Sequence, residues 1–321
     1  MKEKCLLIGL GDIGVGYDLN LNNKYCLTHA RAIEQNNNFE LIGGVDICEE
    51  RRSIFEKEYR VKSFSNIKES LNETDPSIVI IATPTETHYE ILHRVAHESQ
   101  PKIVICEKPL SYDLNEAIRM RELAVENDIE IFVNYFRISD PAINHIRNQL
   151  FKYFDSPTKG VVWYSKGLLH NGSHFINLMQ YWFGEIKSYN ITSNQYDVDI
   201  KYYEPDITLN FDNADILFIS AWEEYYSHYT VEILSKSGRL EYGINGKITW
   251  QNVIKDNNFE GYKILNEEKE IINSSMDKYQ MNVYQNIYKH LRGKDSHLCT
   301  VDMAIKSLDV ILKIFKKSKN E

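Results

Sequence analysis

A glycine-rich turn directly after a short apolar run constrains the fold of this chain more than any other feature. The run at residues 5–9 predicts a strand, and the pattern GxGxxG begins at its last residue. Glycines at this spacing permit a tight turn and a close backbone approach to a pyrophosphate. The pattern alone is weak, because glycine-rich turns are common, but its position after a first strand favours a dinucleotide site. The predicted cofactor-binding residues of the turn are Gly9, Gly11, Asp12, Ile13 and Gly14.

Apolar runs and helical patterns alternate through the first 135 residues. The runs lie at 5–9, 39–46, 77–83, 102–107 and 129–134, with helical stretches at 28–36, 51–59, 86–98 and 114–127. Continuous apolar runs of about five residues fit strands that are buried on both faces. Strand–helix alternation implies right-handed crossovers and a parallel sheet. We therefore predict an α/β chain whose residues 1–135 form a doubly wound, parallel Rossmann domain.

The pattern changes after Asn134. Helices are predicted at 142–150 and 173–183, and strands at 160–166, 187–197, 200–210, 214–222, 226–235, 246–254 and 261–266. Short connections between successive strands imply an antiparallel sheet. Helical segments at 276–292 and 301–317 close the chain, and the last of them could pack back on the first domain. We predict a C-terminal α+β domain over residues 136–321 with a large, mainly antiparallel sheet.

Composition and charge exclude several classes of protein. A chain of 321 residues, 43% of them apolar, supports about two domains, and a formal charge of −9 disfavours nucleic acid as a partner. No apolar run approaches the roughly 20 residues that span a bilayer, and the first run is too short for a signal peptide. Five cysteines without a CxxC pair argue against a disulfide framework and a cysteine zinc site. We expect a cytoplasmic protein without nucleic-acid or membrane partners.

Asp46 ends the second predicted strand, where a carboxylate accepts hydrogen bonds from the adenosine ribose. Its charge repels a 2′-phosphate and so favours NAD over NADP, although Arg51 and Arg52 weaken that preference. The spacing is unusual, because 32 residues separate Gly14 from Asp46, against about 20 in the standard unit. The excess falls in the polar segment 15–27, which is either a surface loop or a flap over the site. We favour an active-site loop.

Three further segments carry a resemblance to a known family. They are ATPTETH at 82–88, CEKP at 106–109 and HNGSHFIN at 170–177. Together they resemble the glucose–fructose oxidoreductase/inositol dehydrogenase/rhizopine-catabolism (Gfo/Idh/MocA) family of NAD(P)-dependent oxidoreductases. The resemblance covers nearly the whole chain, and the Glu-Lys-Pro tripeptide is its most specific element.

The resemblance implies an enzyme that transfers a hydride between nicotinamide and a secondary alcohol or ketone of a sugar, sugar derivative or cyclitol. It implies that Glu107 and Lys108 lie beside the nicotinamide, with Lys108 touching substrate and Pro109 in a cis peptide bond. Three residues near the fourth strand would lie along the cofactor: Thr83, Pro84 and His88. The second domain would bind the carbohydrate, and its open sheet face would form a homodimer or homotetramer.

Oxidation of an alcohol requires a base for the hydroxyl proton. His174 is the predicted base, one residue inside a predicted helix with Ser173 as its cap, so that the positive helix terminus disfavours imidazolium. Lys108 would orient the hydroxyl and stabilise developing negative charge. Taken alone, such a histidine is more often a cap or packing residue, and a lone lysine usually faces solvent. Their joint match to the family pattern reverses those odds.

The second-domain motif departs from the family's Asp-x-Gly-x-His-x-x-Asp pattern, because His170 and Asn177 stand at its two acidic positions. A carboxylate from elsewhere could substitute, Lys108 could itself handle the proton, or the site could be adapted to an anionic substrate such as a uronate or nucleotide sugar. The predicted substrate-binding residues are Lys108, Arg137, Lys166, His170, Asn171 and His174. Arg137 and Lys166 could equally form ordinary ion pairs.

Two other functions compete with a sugar dehydrogenase. A non-catalytic NAD-binding sensor or regulator of the same fold would show weakened catalytic motifs, but it has no chemical need for Lys108 and His174. A dihydrodiol or biliverdin-type reductase would need a more apolar pocket. His170 and His174 also have the spacing of zinc ligands, but Gly172 and Ser173 lie between them and no third ligand is evident. We therefore predict no metal.

Overall fold

The computed structural model of the chain describes residues 2–22, 24–194 and 199–319. It divides into two compact units: the first contains Met1–Ser139 and Asp277–Lys306, and the second contains Asp140–Met276 and Ser307–Glu321. All five cysteines are free thiols. Within the described ranges, no helix has the length and apolarity of a membrane span.

The first unit contains a six-stranded parallel sheet. Its strands are β1 (Glu3–Ile8), β2 (Phe39–Val45), β3 (Ser63–Phe64), β4 (Ile78–Ile81), β5 (Ile103–Cys106) and β6 (Glu130–Val133). The connecting helices are α1 (His29–Glu34), α2 (Glu49–Tyr59), α3 (Ile67–Thr74), α4 (His88–Glu98) and α5 (Leu114–Glu126). The strand order β3-β2-β1-β4-β5-β6 confirms the predicted doubly wound Rossmann fold. The sequence pattern missed only the short β3 and α3.

An insertion interrupts the helix that follows the glycine-rich turn. The backbone N–H of His29 donates to the carbonyl oxygen of Ile13 (3.1 Å), and that of Ala30 donates to Gly14 (3.0 Å). Each bond spans 16 residues where a continuous helix spans 4, so 12 extra residues separate the two halves of one helix. Without them, the 32 residues between Gly14 and Asp46 become the about 20 of the standard unit.

The buried carboxylate of Asp18 closes the base of this insertion. Its Oδ2 accepts hydrogen bonds from the backbone N–H groups of Leu27 (2.7 Å) and Thr28 (3.0 Å), and its Oδ1 accepts from the Thr28 hydroxyl (2.8 Å). Arg31 Nε lies 3.5 Å from the same Oδ1. Thr28 also caps α1 by accepting from the backbone N–H of Arg31. One carboxylate therefore anchors both ends of the loop.

In the second unit, two helices, α6 (Pro141–Asn148) and α7 (Leu150–Tyr153), precede strand β7 (Thr158–Tyr164) and helix α8 (Ser173–Phe183). The remaining strands are β8 (Ser188–Ser193), β9 (Asp206–Asn210), β10 (Ala214–Ser220), β11 (Thr230–Leu234), β12 (Gly238–Tyr242), β13 (Ile248–Lys255), β14 (Lys263–Leu265) and β15 (Glu270–Ile272). Over the described residues they form one sheet, in the order β14-β13-β12-β11-β7-β10-β9-β8, with β15 beside β13.

This sheet is mixed rather than purely antiparallel, because β7 and β10 pair in parallel while the other pairs are antiparallel. The large, mainly antiparallel sheet of the prediction is thereby confirmed. The sequence pattern missed β12, whose alternating charged and apolar residues have low mean hydropathy. The predicted strand at 200–210 forms only from Asp206, since 200–202 is a 3-10 turn. The predicted strand at 187–197 is observed to Ser193, and its positions 195–197 lie outside the described residues.

Two helices close the chain, α9 (Tyr279–Leu291) and α10 (Val301–Ser318). The buried face of α9 contributes Val283, Tyr284 and Ile287 to the hydrophobic core of the first unit. The unit boundary falls within α10, after Lys306. The C-terminal part of the chain therefore returns to the Rossmann unit and brings polar side chains of α9 with it.

Candidate active site

The glycine-rich turn after β1 has the shape of a pyrophosphate cradle. Gly9 has a φ of +100°, and a Cβ there would collide with the carbonyl oxygen of Ala82, just as a Cβ at Gly14 would collide with that of Gly9. At Gly11 the nearest atom to a Cβ would be the Arg51 guanidinium, 3.8 Å away. Asp12 and Ile13 complete the turn. It is therefore tightly packed at its ends and open at its centre, which fits a dinucleotide.

Asp46 follows β2 and braces the same turn. Its Oδ2 accepts a hydrogen bond from the backbone N–H of Leu10 (2.9 Å), and its Oδ1 accepts from that of Cys48 (2.8 Å). Arg51 Nη1 lies 3.6 Å from Oδ2 on a half-exposed side chain. Arg52 instead donates to the carbonyl oxygens of Asp46 and Ile47. Of the two arginines, Arg51 is therefore the one placed to meet a cofactor phosphate.

His88 supports the turn after β4. Its ring is fully buried, with Nδ1 3.1 Å from the carbonyl oxygen of Leu110 and Nε2 3.0 Å from that of Thr83. Burial lowers the pKa of this imidazole. His88 therefore ties the Thr83–Pro84 turn to the segment after Pro109.

Glu107 and Lys108 follow β5, and the Lys108–Pro109 peptide bond is cis, as the resemblance implied. The Glu107 carboxylate is buried, and its Oε1 lies 3.0 Å from His29 Nε2 and accepts a hydrogen bond from Asn134 Nδ2 (2.6 Å). Its Oε2 accepts from the backbone N–H of Lys108 (3.3 Å). Burial alone would raise the pKa of Glu107, but the hydrogen bonds from His29 and Asn134 and the Lys108 charge outweigh it. The result is a lowered pKa and a buried anion beside Lys108.

Sequence reasoning missed the partners of Glu107, His29 from α1 and Asn134 after β6. It also missed two residues of α9 that contact those partners, Gln280 and Tyr284. Only Asn134 carried a usable signal, because a polar residue at the carboxyl end of a parallel strand is a site candidate. The others lie in amphipathic helices, where sequence does not show which polar side chain turns inward.

In the second unit the predicted residues gather around one irregular turn. Lys166 has a φ of +65°, and Gly167–Gly172 forms a π-helical turn in which the N–H of Asn171 donates to the carbonyl oxygen of Lys166. The turn carries His170 and Asn171 and runs directly into α8, where His174 is buried. Such turns occur frequently at functional sites.

The predicted cap at Ser173 is wrong. Its hydroxyl donates to the carbonyl oxygen of His170 (3.0 Å) instead of accepting from the helix, and no side chain caps α8. Because helical backbone extends upstream to Gly167, His174 does not lie at a free helix terminus. The expectation that the helix dipole keeps this imidazole neutral therefore fails.

Two carboxylates border the π-helical turn. Glu204 Oε1 accepts from the backbone N–H of Gly167 (2.7 Å), while Glu223 accepts from the Ser165 hydroxyl (2.8 Å) and lies 3.4 Å from Lys166 Nζ. Burial, followed by the Glu223 charge, raises the pKa of Glu204. Lys166 thus forms an ordinary ion pair, and acidic groups absent from the motif itself are supplied from elsewhere in the chain.

The predicted cations divide between the units. Lys108 and Arg137 belong to the first, where the buried Arg137 guanidinium lies 5.0 Å from the Phe136 ring centroid and Phe136 stacks on Tyr279 at 4.2 Å. Lys166 and His170 belong to the second. Each unit therefore carries its own pair of basic side chains.

Family models match most of the chain. An oxidoreductase-family model described as an NAD-binding Rossmann fold matches residues 4–135, and the C-terminal alpha/beta domain of the same family matches residues 152–321. The cofactor prediction is confirmed at this level.

Curated relatives match over shorter stretches. Glucose-6-phosphate 3-dehydrogenase of Bacillus subtilis is 34% identical over 96 residues, which cover 30% of this chain and 26% of that protein. Myo-inositol 2-dehydrogenase of Thermotoga maritima is 29% identical over 135 residues, 42% of this chain and 36% of that protein. The matched stretches thus span about a quarter to a third of these relatives.

Solved structures share the fold over nearly the full length. The WlbA dehydrogenase from Bordetella pertussis, in complex with NADH and UDP-GlcNAcA, aligns with a TM-score of 0.76 and 17% identity over 99% of this chain and 95% of its own. An oxidoreductase from Agrobacterium radiobacter, in complex with NAD+, L-tartaric acid and magnesium, has a TM-score of 0.76 at 13% identity, covering 99% and 96%. At these identities the likeness shows the fold alone.

Proposed function

The chain belongs to the Gfo/Idh/MocA oxidoreductase family, and we propose that it is an NAD-dependent dehydrogenase acting on an anionic sugar or sugar derivative. The reaction interconverts a secondary alcohol and a ketone. The observation that carries the proposal is the buried, ionised Glu107 beside Lys108 at the carboxyl end of β5. Ligands of open α/β sheets bind at that end of the strands.

The chemistry is divided between two side chains. A bound nicotinamide supplies or accepts the hydride. Lys108 donates a hydrogen bond to the substrate hydroxyl oxygen and stabilises the negative charge that develops there. For His174 in the second unit, the resemblance to the family implies the role of proton acceptor in oxidation and proton donor in reduction. Glu107 accepts a hydrogen bond from the backbone N–H of Lys108, which helps to fix the peptide that carries this side chain.

An anionic substrate is supported by two basic side chains of the first unit, Lys108 and Arg137. Arginine and lysine are the usual ligands of carboxylate and phosphate groups. Glucose-6-phosphate, UDP-GlcNAcA and L-tartaric acid in the names of three relatives and neighbours are anions, while myo-inositol 2-dehydrogenase is named for a neutral cyclitol. We therefore place uronates, sugar phosphates and nucleotide sugars ahead of neutral cyclitols.

A substrate panel tests the proposal. The purified protein is incubated with NAD and uronates, sugar phosphates, nucleotide sugars or neutral inositols, and NADH formation is followed by absorbance. We expect turnover on an anionic sugar, lost in Lys108→Ala and retained in Lys102→Ala, a matched exposed lysine of the same unit. Tight NAD binding without turnover across the panel, in either direction, would contradict the proposal and favour a regulator.

We propose further that the chain forms a homodimer or homotetramer through the outward face of the second-unit sheet. Residues of β7 alternate between buried Val162 and Tyr164 and the more exposed Val161 and Trp163. A depression of about 300 Å³ on the same face is lined by Val161, Leu217 and Leu234 among others. Light scattering should show an oligomer that Leu217→Lys dissociates and Phe151→Lys, on exposed α7, does not. A wild-type monomer would contradict it.

A further inference from the structure

We propose that His29 is a positioning residue of the active site, an imidazole that donates from Nε2 to the Glu107 carboxylate and orients it and, through it, Lys108. The inference rests on the proposed function for its catalytic consequence. Its structural basis is the buried cluster of His29, Glu107, Asn134, Gln280 and Tyr284, which we call the Glu107 cluster. All five side chains belong to the first unit.

Amide groups surround the contact between His29 and Glu107. Asn134 Nδ2 donates both to Glu107 Oε1 (2.6 Å) and to Gln280 Oε1 (3.2 Å), which turns the Gln280 amine toward the imidazole. That amine lies 2.7 Å from Nδ1 and 3.1 Å from Nε2 of His29. Because it lies close to both ring nitrogens at once, the amine packs over the face of the imidazole and holds the ring in place.

The contact with Glu107 fixes the donor of the pair. Nε2 lies 3.0 Å from Glu107 Oε1, a carboxylate oxygen that can only accept, so Nε2 bears a proton and donates it. On the other side of the ring, Nδ1 lies 3.0 Å from the Tyr284 hydroxyl, a group that both donates and accepts.

Burial makes this arrangement consequential. His29, Gln280 and Tyr284 are 0% exposed and Glu107 is 8% exposed, so water does not replace a lost donor. A buried carboxylate requires hydrogen bonds to remain ionised. His29 supplies one of the two side-chain donors to Glu107 Oε1, and its loss would leave that oxygen with Asn134 alone.

The carboxylate transmits this constraint to Lys108. Glu107 Oε2 accepts from the backbone N–H of Lys108 (3.3 Å), so the orientation of the carboxylate sets the peptide from which the Lys108 side chain departs. On its other side, the backbone N–H of His29 donates to Ile13 in the cofactor turn. His29, the first residue of α1 after the insertion, therefore links the cofactor turn to Lys108.

The test combines a spectroscopic measurement with matched variants. In nitrogen-15 NMR of histidine-labelled protein, assigned with His29→Gln, we expect the His29 ring to be protonated at Nε2. His29→Leu should lower kcat by about 10- to 100-fold, because a displaced catalytic group is costly, with NAD affinity changed less than about 3-fold. His29→Gln, whose amide nitrogen can reach toward Glu107, should recover most of kcat, and exposed His97→Leu should match wild type.

The outcomes separate this inference from the proposed function. An Nε2 without a proton, or wild-type kcat in His29→Leu, would overturn the positioning role even in an active enzyme. If the wild type turns over no substrate, the proposed function fails, while the NMR spectrum still shows whether Nε2 is protonated. Should His29→Leu not fold, Tyr284→Phe removes only the hydroxyl beside Nδ1, and we expect it to lower kcat by about 3-fold.

Discussion

Glu107 in the first unit and Glu204 in the second are both withdrawn from solvent, yet their pKa values move in opposite directions. Glu107 is the more deeply buried, but it accepts from His29 and Asn134 and lies beside Lys108, and its pKa is lowered. Glu204 is half-buried, accepts from the backbone N–H of Gly167 and faces the like charge of Glu223, and its pKa is raised. Partners, and not depth of burial alone, decide which carboxyl group is ionised.

The opposite shifts of the two pKa values give the two carboxyl groups opposite effects on stability as the pH changes. Folding favours the ionised form of Glu107, so its contribution to stability is present above the ordinary glutamate pKa and lost as pH falls through the lowered value. Folding favours the protonated form of Glu204, so its contribution is present at low pH and lost as pH rises through the raised value. In the folded protein, the ionised form is thus favoured at Glu107 in the first unit, and the protonated form is favoured at Glu204 in the second.

The largest effect should follow removal of the proposed base from the second unit. His174→Ala should cut turnover by about 10²–10⁴-fold, because the hydroxyl proton loses its acceptor, while NAD affinity stays nearly unchanged. Steady-state kinetics and a fluorescence titration with NADH measure the two quantities. His145→Ala, on exposed α6, is the control, and unchanged turnover in His174→Ala would remove this histidine from the mechanism.

Glu107→Gln should lower the free energy of unfolding by about 1–3 kcal/mol near pH 7, because the carboxylate charge is lost and the new amine would face the backbone N–H of Lys108, although the amide oxygen can still accept from His29 and Asn134. The loss should shrink as pH falls through the lowered pKa of Glu107. Urea unfolding at several pH values measures it, with exposed Glu122→Gln on α5 as the control. A loss that stays constant with pH would mean that the Glu107 charge does not stabilise the fold.

A third carboxylate, Asp46, extends the comparison to the cofactor. Asp46→Ala should weaken NAD by about 10-fold, the loss expected for a hydrogen bond to a charged group, and weaken NADP less, because repulsion of the 2′-phosphate also disappears. Arg51→Ala should weaken NADP more than NAD. Isothermal titration calorimetry measures both affinities. Equal losses of NAD and NADP affinity in Asp46→Ala would contradict the proposal that Asp46 binds the adenosine ribose.

The smallest effect should come from Glu204→Gln, and its sign opposes that of Glu107→Gln. The amide oxygen can still accept from Gly167, while the costly charge is gone, so the Tm should rise by about 1 °C near pH 8. Solvent screening of a half-exposed group keeps the gain small. Calorimetry should find no gain near pH 4, and a lower Tm at high pH would contradict the raised pKa.

Sequence patterns predicted the fold better than the site. The sequence runs that form β4 and β5 are apolar on both faces. The glycine turn and the Glu-Lys-Pro tripeptide are each formed by neighbouring residues in the sequence, so local patterns predict all four features. Twelve inserted residues separate the two halves of the first helix, so the sequence does not show that His29 bonds to Ile13 across the insertion. The partners of Glu107 and the place of Glu204 depend on packing between segments far apart in the chain, and no local pattern encodes them.

The opposite ionisation of the two carboxyl groups can be measured directly by carbon-13 NMR. Protein whose glutamates are labelled at the carboxyl carbon would be titrated with acid. The Glu107 and Glu204 signals would be assigned by their disappearance in Glu107→Gln and Glu204→Gln. Glu107 should titrate below the ordinary glutamate pKa of about 4.3, and Glu204 above it. Titration of both groups on the same side of that value, or in the reverse order, would contradict the division of labour between the two units.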